Sequence, residues 1–315
     1  MRIISLLPSA TEIVCQLGLE TALVGITHEC DYPRSIAHLP RVTASKIDAS
    51  AKSREIHRSI NGLLKNALSI YDLNLDLLKT LGPDYLITQD LCQVCAVPFS
   101  QVEEACQQFL GAETKIISLR PRRLDDIWNE IDGVGKTLGA ATAFGKFKDD
   151  VSRRIRFIRE TLHSSGTGKK SVLTIEWMDP VILGGHWVPE MIEMAGGECL
   201  LATPGETSSK IAKDALAEVN PEVVLVNPCG FKLEQTAAEL ETLKNTVPWN
   251  GWRAYRDNNI FLVDGNTYFN RPGPRMIDSL EILAYCIHPD LFPEFAQKYR
   301  AGFIRLGPEL QLAKS

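Results

Sequence analysis

Short apolar runs alternate along this chain with longer stretches in which apolar residues return every three or four positions. In the first half, 3–6 and 22–27 read as strands, with a helix predicted over 9–17 between them. Pro8 precedes that helix, Ser9 and Glu12 have the spacing of a capping box, and Gly18 fits its stop. Helices follow over 53–70 and 75–81, a strand over 85–88, a helix over 99–110, a strand over 115–119 and a helix over 124–138. Short strands alternating with helices predict a parallel sheet built from βαβ units.

The rhythm then breaks. From 140 to 163 Gly145 alone interrupts a helical pattern, and Phe144, Phe147, Val151, Ile155, Ile158 and Leu162 recur at helical steps. This predicts one helix of about six turns, roughly 36 Å long. Alternation resumes with strands at 171–176, 222–226 and 260–263 and helices at 188–195, 210–219, 233–245 and 275–287, and the tail after Pro289 reads as a short docked helix. The fold class expected is α/β, two Rossmann-like lobes with parallel sheets joined by one long rigid helix. The divisions are an N-terminal lobe over 1–139, a bridging helix over 140–166 and a C-terminal lobe over 167–315. Two such lobes facing each other would make a cleft lined by strand-end loops.

Composition narrows the classes. The chain has 315 residues, is 44% hydrophobic and 23% charged, and carries a net charge of −5 with no basic block, so nucleic acid is not an expected partner. No apolar run approaches the roughly 18 residues of a membrane span. The opening residues carry no leader pattern, which places the protein in the cytoplasm as written, or in the periplasm if a leader precedes it. The eight cysteines read as thiols, with Cys15, Cys106 and Cys286 in helical patterns. A monomer is expected.

Projecting each strand forward gives the cleft lining. The first half delivers Pro8 and Ser9, then 28–32 with Tyr32, then 89–95. The second half delivers Glu176 and Trp177, then Gly184, Gly185, His186 and Trp187, then 227–231, then the loop 264–275 with Asn266, Tyr268, Phe269 and Arg271. Aromatic rings mixed with amides and hydroxyls suit a large flat ligand with polar edges. Gly184 and Gly185 would let backbone approach that ligand closely. No catalytic set assembles: Ser9 lacks the setting of a hydrolase nucleophile, and no phosphate-binding glycine loop follows a strand. An enzyme is not expected, and no cofactor is required. Cys30, Cys92, Cys95 and Cys229 fall on three strand-end loops and form a candidate metal set, of zinc or iron–sulfur type if the loops converge. A cytosolic metal- or thiol-dependent enzyme using them is the rival from another class.

Several of these loops carry a resemblance. The residues are 5–12 (SLLPSATE), 31–33 (DYP), 184–190 (GGHWVPE) running into 195–197 (AGG), and 268–275 (YFNRPGPR). In this order they resemble the ABC-transporter substrate-binding proteins with a single bridging helix, and within them the cobalamin-binding branch. The resemblance implies a corrinoid ligand, an ABC importer membrane subunit as partner, Tyr32 packing on the corrin, and Tyr268 and Phe269 as wall. The well-known cobalamin binders have a carboxylate and a tryptophan where this chain has Thr267 and Tyr268, and a tryptophan near the loop 89–95. Haem or a ferric siderophore is the alternative ligand.

Overall fold

Ile3–Ser5, Leu23–Ile26, Tyr85–Gln89 and Lys115–Leu119 form a four-stranded sheet in which Ile3–Ser5 lies between Leu23–Ile26 and Tyr85–Gln89. Every neighbouring pair is parallel, as the βα rhythm predicted. Ile3, Ile4, Leu86 and Ile87 are wholly buried, the continuous apolar run expected of a parallel strand covered on both faces. The computed structural model describes residues 1–65, 70–90, 97–106 and 113–312. The chain folds into two compact units. The first is Met1–Ala51, Arg58–Pro121 and Asp125–Asp149; the second is Lys52–His57, Arg122–Leu124 and Asp150–Ser315.

In the first unit the helix after the first strand runs Pro8–Gln16, with Pro8 in its first turn and Leu7 at the cap position. Ser9 therefore lies inside the helix, and the expected capping box with Glu12 does not form. The chain turns instead on side chains before and after it: Ser5 Oγ donates to Leu7 O at 2.9 Å and Thr11 Oγ1 to Ser5 Oγ at 2.8 Å. A short antiparallel pair, Thr43–Ser45 with Tyr71–Leu73, was not predicted. Strands of three residues, one of them Thr-Ala-Ser, leave no alternation to read.

The second unit holds a seven-stranded sheet. Its centre, Lys170–Met178, Val223–Val226 and Ile260–Val263, is parallel, and Gly197–Cys199 joins Lys170–Met178 in parallel. The rest corrects the expectation of a parallel sheet. Val181–Leu183, Ser209–Lys210 and Phe303–Arg305 pair antiparallel, so the sheet is mixed. Two returns of the chain cause this: Lys170–Met178 folds back through Asp179-Pro180, and the tail comes back along Ile260–Val263. The predicted helix 233–245 is two helices, Leu233–Ala238 and Leu240–Thr246. Glu239 stands at the break, and its carboxylate accepts from Ser53 N and Oγ, at 3.4 and 2.8 Å.

The long helix is Ala141–Ser165, 25 residues without interruption. Up to Asp149 it belongs to the first unit, where Phe147 meets the Trp128 ring at 5.8 Å. From Asp150 it belongs to the second, where Arg154 bonds Asp278 and Glu281. Gly166, at φ +64°, ends it in the left-handed conformation that favours glycine. Among the described residues no helix is long and apolar enough to cross a membrane.

Candidate functional site

The carboxyl ends of parallel strands are where open α/β sheets present their ligand-binding loops. In the first unit, Ile3–Ser5 leads to half-buried Pro8 and buried Ser9. Leu23–Ile26 leads to His28, whose Nδ1 lies 2.8 Å from Thr43 Oγ1, and Thr43 Oγ1 in turn donates to Thr27 Oγ1 at 2.8 Å. Burial, then the charge of Arg41, lowers the His28 pKa, so the ring is held neutral. Tyr71 stacks obliquely on this ring at 5.5 Å and donates to Glu29 Oε1 at 3.1 Å. Tyr32 follows, and at 48% exposure its ring is among the most open large apolar surfaces described.

In the second unit Lys170–Met178 ends with Glu176 and Trp177, both half-buried. Glu176 accepts from Ser208 Oγ at 2.8 Å. The Trp177 ring meets Phe231 edge-on at 5.2 Å, and its Nε1 donates to Ser53 O at 3.3 Å. After Val223–Val226 the chain turns at Asn227 and Pro228, and after Ile260–Val263 at Gly265. These turns touch: a Cβ on Gly265 would lie 2.1 Å from Pro228 O. Only glycine allows that approach, which brings two strand-end loops together. Asn270 Nδ2 ties them further, donating to Asn227 O and to Gly265 O, each at 3.0 Å. Asp264 caps the turn by accepting from Thr267 N at 2.7 Å and Thr267 Oγ1 at 3.0 Å. Arg271, buried, donates to Asn266 Oδ1 at 2.8 Å.

Three residues expected in the lining are engaged by the chain itself. Gly185 does give backbone a close approach, but to this chain's own backbone: a Cβ there would sit 2.4 Å from Ser208 N and 2.7 Å from Glu206 O. Trp187, only 6% exposed, donates through Nε1 to Phe269 O at 2.7 Å, and Phe269 is 0% exposed. These two rings are packed in the interior. His186 is half-buried, stacks on Trp187 at 5.6 Å, and has its pKa lowered by burial and then by Arg122. Both His186 and Phe269 adopt positive φ, +54° and +67°. Non-glycine residues hold that region at a cost of order 1 kcal/mol and do so chiefly where structure around a site fixes them. His186 is fixed by its N–H to Glu206 O at 2.6 Å and Phe269 by its N–H to Ser279 Oγ at 3.1 Å.

The candidates left with ring or polar surface at these strand ends are Pro8 and Tyr32 in the first unit, and Glu176, Trp177, His186, Asn266 and Tyr268 in the second. Sequence reading missed Ser208, the partner of Glu176, and Tyr299 and Gly302, which pack against Tyr268. Nothing local announces Ser208. The apolar positions 292, 295 and 299 have helical spacing that marks a buried face on the tail helix.

Of the thiols proposed as a metal set, Cys92 and Cys95 lie outside the described residues. Cys30 is buried, 3.0 Å from Thr11 Oγ1, and Cys229 is half-buried, its N–H donating to Glu176 O at 3.1 Å. Among the described residues no three His, Cys, Asp or Glu side chains cluster so as to hold an ion.

The chain is 22% identical over 284 residues to the vitamin B12-binding protein of Vibrio cholerae serotype O1, a match covering 89% of this chain and 86% of that one. Among solved structures, a periplasmic heme binding protein from Pseudomonas aeruginosa superposes with a TM-score of 0.67 at 20% identity, over 100% of this chain and 98% of that one. The periplasmic vitamin B12 binding protein of Vibrio cholerae superposes with a TM-score of 0.60 at 20% identity, over 94% and 98%. These likenesses establish the same α/β fold. The expected cytoplasmic placement finds no support among them. Residues 3–267 match the family described as periplasmic binding protein, and the chain belongs to that family, one of binding proteins for transport rather than enzymes.

Proposed function

We propose that this protein is the ligand-binding component of an ABC importer, working outside the cytoplasm, and that its ligand is a cobalamin-like corrinoid. The observation that carries the reading is the surface at the strand ends of the second unit. Half-buried Trp177 packs on Phe231, whose carbonyl accepts from Asn266 N, with Glu176 next to it in the chain, and Tyr268 keeps a half-exposed ring two residues beyond Asn266. A corrinoid is a broad ring edged with amides, and it needs apolar faces flanked by polar partners. Tyr32 supplies exposed aromatic surface at a strand end of the first unit. The relatives named as vitamin B12-binding proteins support the same ligand class. Delivery to a membrane subunit of the importer follows from that role.

Haem is the second reading. The heme binding protein from Pseudomonas aeruginosa superposes with the higher TM-score, 0.67 against 0.60. Replacing Tyr268 by Ala tests the site under either ligand. Calorimetric titration with cyanocobalamin should show a loss of about 1–3 kcal/mol, the transfer energy of a large apolar side chain. Unchanged affinity would remove Tyr268 from the site.

A further inference from the structure

We infer that Tyr299 is a positioning residue for Tyr268, holding its ring in the orientation a ligand at the strand-end loop would meet. This rests on the proposed reading that Tyr268 lines the ligand site. The two rings meet edge to face, centroids 6.1 Å apart and planes at 82°, a favoured aromatic geometry. Gly302 closes the seat: a Cβ there would lie 2.8 Å from Tyr268 Cε2. Backbone bonds draw the pieces together. Tyr268 N donates to Asp264 O at 3.0 Å, Asp264 N to Gly302 O at 2.9 Å, and Gly302 N to Tyr299 O at 2.7 Å.

Tyr299 is itself held by buried charge. Its hydroxyl donates to Asp278 Oδ1 at 2.9 Å, also contacts Glu281 Oε2, and receives a hydrogen bond from Arg154 Nη2 at 2.9 Å. The Lys298 ammonium stands 4.9 Å over its ring centroid. Turning the Tyr299 ring would leave carboxylates in a buried site short of a donor, which is costly. The Tyr268 ring thus leans on a group that cannot easily move. The hydroxyl of Tyr299 and its ring have separable duties: the hydroxyl anchors, and the ring supports Tyr268.

The test uses the full chain, titrated with cyanocobalamin and with hemin, alongside thermal unfolding. Tyr299→Phe keeps the ring and loses the anchor; Tyr299→Leu loses both; Gly302→Ala displaces the Tyr268 ring. We expect both Tyr299 variants to unfold at lower temperature. Tyr299→Phe, which keeps the ring but frees it, should bind about two- to threefold more weakly, and Tyr299→Leu and Gly302→Ala roughly five- to tenfold more weakly, the worth of one aromatic pair. Two results overturn the inference while leaving the site reading intact. One is Tyr299→Leu and Gly302→Ala binding as the unmodified protein does while Tyr268→Ala loses affinity. The other is affinity falling equally in Tyr299→Phe and Tyr299→Leu, in step with stability. Full affinity in Tyr268→Ala, or binding of neither chromophore by the unmodified chain, overturns the reading and this inference with it.

Discussion

Gly185 shows how a single residue can be chosen for the chain's own backbone. The segment 206–208 passes so close that a methyl group at position 185 has no room, and His186 then takes the left-handed conformation with its N–H on Glu206 O. Gly185→Ala should destabilise the protein by about 1–3 kcal/mol, since the obstruction is backbone and cannot rotate away. A denaturant midpoint unchanged in the variant would contradict this. His288 offers a pH test. It is buried, with Nε2 3.1 Å from Gly196 O, and its pKa is lowered by burial and by Lys170, against the opposing effects of the Gly196 hydrogen bond and Glu222. Above its unfolded pKa of about 6.5 both states are neutral and its contribution is complete. As pH falls through that value the unfolded chain takes up a proton that the folded one resists, so stability is lost. His288→Gln should therefore show a shallower loss of stability between pH 7 and 5 than the unmodified protein. Equal slopes in urea titrations across that range would refute the assignment.

At the scale of elements, the long helix is the feature whose anchoring can be measured. Arg154 is 15% exposed and donates to Asp278 at 2.5 Å and to Glu281 at 2.7 Å, and Glu281 is 4% exposed. Lys298 Nζ also reaches Glu281, at 2.6 Å. Burial would raise the Glu281 carboxyl, but hydrogen bonds from Arg154, Lys298 and Tyr299 hold it below its ordinary range. Breaking such a pair from one side leaves a buried carboxylate short of a partner. Arg154→Met should cost about 3 kcal/mol, read as a shift in the unfolding midpoint. A loss below about 1 kcal/mol would mean that the cluster behaves as a solvent-exposed ion pair. The sheet edges make the contrasting case. Two central strands of the second unit, Val223–Val226 and Ile260–Val263, are fully buried runs, while its antiparallel edges are strands as short as Ser209–Lys210.

Over the whole molecule, the α/β order and the long helix were legible because each rests on a period that repeats. The parallel first sheet followed from strands such as Ile3–Ser5 alternating with helices, and Ala141–Ser165 from apolar residues at three- and four-residue steps. The mixed second sheet was not legible: the return at Asp179-Pro180 leads into a strand of only three residues, too short for an alternation to show, and the pairing of Phe303–Arg305 with Ile260–Val263 joins segments far apart in sequence. The loop 264–275 could be placed at a strand end, yet its sequence does not say which aromatic faces inward. Phe269 is buried because its positive φ and its carbonyl, bonded to Trp187, turn it into the core, while adjacent Tyr268 stays half-exposed.

The proposed corrinoid role is decided by equilibrium dialysis of the unmodified protein against cyanocobalamin, with hemin in a parallel cell. Cyanocobalamin should be retained by the protein in a saturable manner and in preference to hemin. Retention of hemin alone would transfer the role to haem, and retention of neither would rule out both ligands.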